Sequence, residues 1–257
     1  MSNPLVVGNW KMNTTLDDAT RLVQAMLPGV RELENVDVVL CPPLPWLTDV
    51  HRLVEGTEIK LGAQNLYHID GGGYTGEVSA RMVKGICRYV LVGQYERRIY
   101  FEEKDGIIKR KILAALNHGL QPILCVGENA DELDEGASGY VVAQQLEGAL
   151  EDVSLDARLT VAYEPVWTTI GLVSPPPLSY IAQMCDHIRA ILADLFPTQK
   201  SQEVRVIYGG SISPRNIDAI VAEAHTDGVL TGSASVNAES FVRIARACVG
   251  LHTGPLA

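Results

Sequence analysis

The sequence predicts an α/β fold in which residues 1–257 form a single domain, a closed (β/α)8 barrel. Three observations lead there. Eight short apolar runs alternate with longer amphipathic stretches along the whole chain. Each run is nearly continuous in hydrophobicity, as a strand buried on both faces must be, and such alternation implies right-handed βαβ units on a parallel sheet. An open doubly wound sheet fits the same count, but the length of 257 residues favours a barrel, which takes about 250.

The expected strands are residues 5–7, 36–40, 59–62, 89–92, 122–126, 159–163, 204–208 and 228–230. Between them, apolar residues recur at three- and four-residue spacing, the signature of a helix with one buried face. Leu16, Ala19, Leu22, Val23 and Met26 predict a helix over 16–33. Ile107, Ile108, Ile112, Ala115 and Leu116 predict another over 104–118. Residues 178–196, 214–224 and 238–249 follow the same pattern. Ser213-Pro214 reads as an N-cap with proline at the first helical position, and His118-Gly119 reads as a helix stop.

Composition excludes several functions. With 21 Lys+Arg against 31 Asp+Glu the formal charge is −10, and no basic run exists to attract nucleic acid or an anionic membrane. No stretch of about 18 apolar residues is present to span a bilayer. The five cysteines, Cys41, Cys87, Cys125, Cys185 and Cys248, lack C-x-x-C spacing and read as reduced, buried thiols of a cytoplasmic protein. The opening MSNPLVVGNW lacks the features of a secretory signal.

Ligands of parallel α/β folds bind at the carboxyl ends of the strands, and here those ends are polar. They carry Asn9-Trp10-Lys11, Gln64-Asn65, Gln94-Tyr95-Glu96-Arg97, Gly127-Glu128, Glu164-Pro165, Gly209-Gly210-Ser211 and Gly232-Ser233. The two glycine-bearing turns after the last two strands suit a phosphate, since glycine lets backbone N–H groups approach an anion. They read equally well as ordinary βα turns. Glu164 reads either as a general base made basic by desolvation or as a surface acid paired with a nearby cation.

Seven blocks, read together, resemble the triosephosphate isomerase family from Val7 to about Ala245. They are Gly8-Asn9-Trp10-Lys11-Met12-Asn13, Gly62-Ala63-Gln64-Asn65, Tyr74-Thr75-Gly76-Glu77-Val78-Ser79, Glu96-Arg97-Arg98, Cys125-Val126-Gly127-Glu128, Ala162-Tyr163-Glu164-Pro165-Val166-Trp167 and Tyr208-Gly209-Gly210-Ser211. The resemblance implies the TIM barrel fold, no cofactor and no metal. It makes Glu164 the base that moves a proton between adjacent carbons. Lys11 would neutralise phosphate and enediolate charge beside Asn9, and Glu96 would pair with Lys11. Backbone groups near Gly171, Gly210, Ser211, Gly232 and Ser233 would hold the phosphate. Glu128 would accept from the Trp167 indole at the hinge of a lid. The Tyr74-Thr75-Gly76 loop would project into a second copy, making a homodimer.

The chain departs from the family in three places. The block G-H-S-E-R-R reads Gly93-Gln94-Tyr95-Glu96-Arg97-Arg98, so Gln94 stands where the family has its electrophilic histidine. The six histidines read as exposed or capping residues, none able to substitute. The lid, A-I-G-T-G-K in the family, reads Thr168-Thr169-Ile170-Gly171-Leu172-Val173-Ser174 before three prolines, and the Gly-Gly pair after the last strand is Gly232-Ser233. The acidic residues 131–135 read as a solvated loop or helix end, Arg97-Arg98 as structural ion pairs, and Trp46 as packing at a helix start.

The leading expectation is an isomerase that interconverts the aldose and ketose forms of a small phosphorylated sugar, with triose phosphate as the default and with reduced activity, serving glycolysis and gluconeogenesis. One alternative is an isomerase for a four-carbon ketose phosphate. The other is a catalytically weak barrel that binds a phosphorylated metabolite or a protein.

Overall fold

The structure is a computed structural model that describes residues 3–154, 159–170 and 175–251. Its strands are β1 (Leu5–Asn9), β2 (Asp37–Cys41), β3 (Lys60–Ala63), β4 (Tyr89–Val92), β5 (Gln121–Val126), β6 (Thr160–Tyr163), β7 (Arg205–Tyr208) and β8 (Gly228–Thr231). Each pairs in parallel with its neighbour in sequence, and β8 returns to β1 with Leu5 opposite Gly228. The barrel is closed, so the sheet has no edge strand.

The near-continuous hydrophobicity of the runs follows from two buried faces. Leu5, Val7, Leu91, Ile123, Cys125, Ala162, Ile207 and Leu230 fill the barrel interior. Alternate residues such as Val6, Leu40, Val90, Leu124, Val161 and Val206 pack outward against the helices. The helix Leu16–Arg31 starts on a capping box between Thr15 and Asp18 and buries Ala19, Leu22, Val23, Met26 and Val30. The helix Asp105–Asn117 stops at His118, and Gly119 follows in the left-handed region at φ 77°. All five cysteines are free and buried. Among the described residues, no helix is long and apolar enough to cross a membrane.

One helix start moves. The stretch expected to be helical from Pro214 is a turn at first, and the helix runs Ile217–Glu223 with Asn216 as its N-cap. Ser213 still organises the turn: its backbone N–H donates to Asn216 Oδ1 (2.8 Å), and its Oγ accepts from the Arg215 N–H (3.3 Å). Proline fixed φ here but a tight turn, not a first helical turn, used it. The helix Ser138–Leu150, whose apolar pattern the sequence reading did not single out, packs outside β5.

The two mouths of the barrel differ. At the amino-terminal mouth Arg205 donates to Asp37 (2.7 Å) and the Tyr89 hydroxyl (3.1 Å), and Arg189 donates to Asp227 (2.8 Å). At the carboxyl-terminal mouth the exits of β5 and β6 run together: Glu164 N–H donates to Val126 O (2.7 Å) and Val166 N–H to Glu128 O (2.9 Å). Gln145, from the helix Ser138–Leu150, makes two bonds with the Gly127 backbone, at 2.9 and 3.1 Å. A Cβ on Gly127 would lie 2.0 Å from the Glu164 carbonyl oxygen. The Gly127→Ala variant therefore must push the two strand exits apart. It should lose ~1–3 kcal/mol of stability, read as a lowered thermal unfolding midpoint.

Candidate active site

Glu164 follows β6 directly and is 5% exposed. It forms part of the wall of a cavity of about 490 Å³ at the carboxyl-terminal mouth. The same wall carries Asn9, Lys11, Gly209, Gly210, Ser211, Gly232 and Ser233, so the structure brings together residues from β1, β6, β7 and β8 that the sequence singled out. Burial pushes the Glu164 carboxyl up to about 7, with the Lys11 ammonium opposing and the Glu96 carboxylate adding to the rise. Its Oε2 is buried and without a partner among the described residues.

Lys11 sits in the left-handed region at φ 51°, a conformation that costs a non-glycine residue free energy unless its surroundings fix it. Its N–H donates to Asn9 Oδ1 (3.0 Å), and its carbonyl accepts from Gln64 Nε2 (2.9 Å), which also donates to Cys41 O (2.9 Å). Its ammonium forms an ion pair with Glu96. Burial alone would depress the Lys11 pKa, but Glu164 and Glu96 outweigh it and hold it above the ordinary value. Lys11 is thus a fixed positive charge facing the cavity.

The supports behind these residues are ionic. Glu103 Oε1 accepts from Arg97 (2.6 and 2.8 Å) and from the buried Lys111 (2.6 Å), and Lys111 also reaches Asn65 Oδ1 (2.7 Å). Arg98 donates to Gly93 O and Asp105 Oδ1, both at 2.7 Å. Arg97 and Arg98 are therefore the structural ion pairs expected of them. Glu128 is fully buried and accepts from the Trp167 indole (2.9 Å), as expected. It also accepts from the hydroxyls of Tyr163 (3.1 Å) and Tyr180 (2.9 Å), which the sequence reading missed. Trp46 Nε1 donates to Thr14 O (2.9 Å) ahead of the helix Leu47–Val54.

Gln94 is 6% exposed and forms the N-cap residue of the short helix Tyr95–Tyr100. It is not part of the cavity wall, yet its Nε2 is buried with no partner among the described residues. Tyr95 lies beside it, close to both Lys11 and Glu164. Gly171 lies outside the described residues, as do 172–174. The adjoining Thr168 does reach the site, accepting on its carbonyl from Ser211 Oγ (2.8 Å). Asn13, Ser213, Asn216 and Thr231 also line the cavity, and their one available signal was proximity to strand ends. A Cβ on Gly210 would fall 1.8 Å from the Tyr208 hydroxyl oxygen, so that turn admits only glycine.

Among the described residues, no histidine supplies a substitute for the missing imidazole, and His252 lies outside them. His225 is exposed and pairs with Asp186 (2.8 Å), and His118 caps a helix. His51, His68 and His187 are half-buried in local packing, contrary to the expectation that each would be exposed or capping. His187 Nε2 contacts Gly139 O (3.1 Å) and the His68 ring stacks near Tyr67, with 4.6 Å between centroids. No histidine among the described residues lines the cavity. The acidic stretch forms the capped helix Ala130–Asp134.

A closed parallel barrel with a desolvated carboxylate, a fixed lysine and glycine turns at its carboxyl-terminal mouth is a (β/α)8 barrel whose site suits proton transfer on an anionic ligand. The comparisons with known proteins narrow this. The family model described as triosephosphate isomerase matches residues 4–248. The chain is 44% identical over 247 residues to a triosephosphate isomerase of Chloroflexus aurantiacus, covering 95% of this chain and 98% of that one. It is 41% identical over 246 residues to one of Dehalococcoides mccartyi, with 96% of each chain covered. The crystal structure of triosephosphate isomerase from Bartonella henselae superposes with a TM-score of 0.87 at 32% identity, over 95% of this chain and 98% of that one. The chain belongs to the triosephosphate isomerase family.

The buried carboxylate has a stability signature. The folded state keeps the Glu164 proton up to about pH 7, whereas the unfolded chain loses it in the ordinary carboxylate range, so stability falls as pH rises between those values. Glu164→Gln removes that cost. At pH 8 the variant should be the more stable by roughly 3 kcal/mol at most, and the advantage should vanish near pH 4. Thermal unfolding across that range checks the sign.

Proposed function

We propose that this protein interconverts glyceraldehyde 3-phosphate and dihydroxyacetone phosphate through an enediolate, with no cofactor. The observation that carries the reading is the dry Glu164 carboxyl, with its pKa near 7, on one cavity wall with Lys11. A group poised near the working pH is present as base and can return the proton it takes. Glu164 removes a proton from the carbon beside the carbonyl and delivers it to the neighbouring carbon. Lys11 offsets the negative charge on the enediolate and phosphate, with Asn9 and Glu96 fixing its backbone and ammonium. Backbone groups at Gly171, Gly210, Ser211, Gly232 and Ser233 bind the phosphate. These roles are the family's own, carried over to the matching positions.

Gln94 changes the remaining role. Its amide N–H can donate to the substrate carbonyl but cannot readily give up or take a proton near neutral pH. Losing one well-placed oxyanion donor costs ~10²–10³ in turnover, and an amide in its place recovers part of that. Turnover is accordingly real but below the family norm. The comparisons favour neither the four-carbon nor the binding alternative. Met12 at 97% exposure, with Tyr74, Ile99, Tyr100 and Phe101 also exposed, supports a homodimer through the Tyr74-Thr75-Gly76 loop. The protein is read as one cytoplasmic domain working in glycolysis and gluconeogenesis.

A coupled assay with triose phosphate tests the reaction. Glu164→Gln should lower turnover by at least ~10² while inorganic phosphate still binds, and activity within a few-fold of the parent would sink the assignment. In the parent, kcat/KM should rise with pH and level off above about 7, as Glu164 ionises. Gln94→His, alone or together with Tyr95→Ser, should raise turnover. A folded double variant no faster than Tyr95→Ser alone would mean that the site is built around glutamine for another substrate.

Inorganic phosphate should also stabilise the protein thermally. A ligand at 100 times its Kd adds ~2.7 kcal/mol, and no midpoint shift at saturating phosphate would contradict the anion site.

A further inference from the structure

Tyr95 has no part in the chemistry above, yet it lies against the Lys11 ammonium and shares a crevice with Glu164. The Lys11 ammonium lies 5.0 Å from the centroid of its ring, within cation–π range. Tyr95 also lines a second, narrow crevice with Gly93, Arg98, Cys125, Gly127 and Glu164. Glu164 is the wall shared by this crevice and the open cavity. The crevice encloses about 10 Å³, room for one water at most.

Several titratable groups surround the carboxylate. Lys11 and Glu96 pair with each other. Arg98 is committed to Asp105. The Cys125 thiol and the Tyr208 hydroxyl are buried, and burial pushes both far up. Of the residues that line the crevice, half-buried Tyr95 is the one whose ring also lies over the Lys11 ammonium.

We propose that Tyr95 is a positioning residue for Glu164: its ring, seated against the Lys11 ammonium, fills the crevice beside the carboxylate, so that the base stays dry and is reached only from the substrate cavity. The inference rests on the reading of Glu164 as the base. It also gives the exchange of a small residue for tyrosine a physical consequence, since burial is the largest cause of the high Glu164 pKa.

The test compares Tyr95→Ser, Tyr95→Phe and the parent. Tyr95→Ser opens the crevice to water, and the acid limb of kcat/KM should move ~1 pH unit toward acid, with kcat falling more than KM changes. The same movement should appear in a carbon-13 NMR titration of the glutamate side-chain carboxyls, with the Glu164 signal identified by its loss in Glu164→Gln. Tyr95→Phe keeps the ring and should keep the titration at the parent's value. Where the serine variant fails to fold, Tyr95→Leu replaces it, with a smaller movement in the same direction. An unmoved titration in a folded Ser or Leu variant overturns the proposal. So does a Phe variant that moves as far as Ser, because the hydroxyl would then govern the base. Should the parent show no turnover of triose phosphate, the functional reading fails while the NMR titration still decides the role of Tyr95.

Discussion

The carboxyl-terminal mouth depends on one desolvated carboxylate. Water would keep Glu164 an ordinary weak base, ionised and well solvated. Taking it into a wall with little exposure makes it a better proton acceptor and destabilises the fold in the same act. That cost is borne by the geometry of the strand exits and turns around it. Gly127 lets the exits of β5 and β6 approach to backbone contact, and Gln145 satisfies the Gly127 groups that this approach leaves over. Gln64 and Asn9 fix Lys11 in a backbone conformation it would not adopt alone, which places the compensating charge.

The two mouths divide the work of the barrel. At the amino-terminal end, Arg205 and Arg189 are each matched to an acid, as stability requires. At the other end, Gln94 Nε2, Glu164 Oε2 and the Tyr208 hydroxyl are buried without partners among the described residues. Each such group costs ~1–3 kcal/mol when left unmatched. Of the three, Glu164 belongs to the cavity wall, where a substrate atom can serve as the partner of its Oε2.

Much of this was legible in the sequence because strand and helix periods are read residue by residue. The run at 89–92 is β4 itself, and the other strands differ from their runs by one or two residues at one end or, in β2 and β3, by one residue at both; polar end residues such as Asn9 and Thr231 still pair with neighbours. The polar strand ends led to Lys11, Glu164 and the two glycine turns, since a parallel barrel sends all its carboxyl ends to one face. What was not legible depended on contacts between distant residues. Gln145 and Tyr180 lie on outer helices, and nothing in their local pattern shows that one braces Gly127 and the other Glu128. Ser213-Pro214 misled because a proline suits a turn as well as a first helical position. The half-burial of His51, His68 and His187 came from packing, which composition does not report.

The exchange of histidine for Gln94 can be weighed by what each group offers at that place. Gln94 is the N-cap residue of Tyr95–Tyr100, and the positive end of a helix disfavours a second positive charge there. An imidazole at this position would be held neutral, acting through its N–H. Glutamine is neutral at every pH and brings an N–H donor of its own, which can stand in for part of the imidazole's. What it lacks is the second nitrogen, which can accept while the first donates. On the proposed reading, the substitution keeps part of the polarisation and removes proton exchange between the two enediolate oxygens. On that reading the exchange has to fall to Glu164 or to water, and Tyr95 and Glu164 line one narrow crevice. On the proposed reading, two neighbouring departures from the family, Gln94 and Tyr95, thus bear on the two proton-handling steps, one by removing a relay and the other by enclosing the base that must replace it.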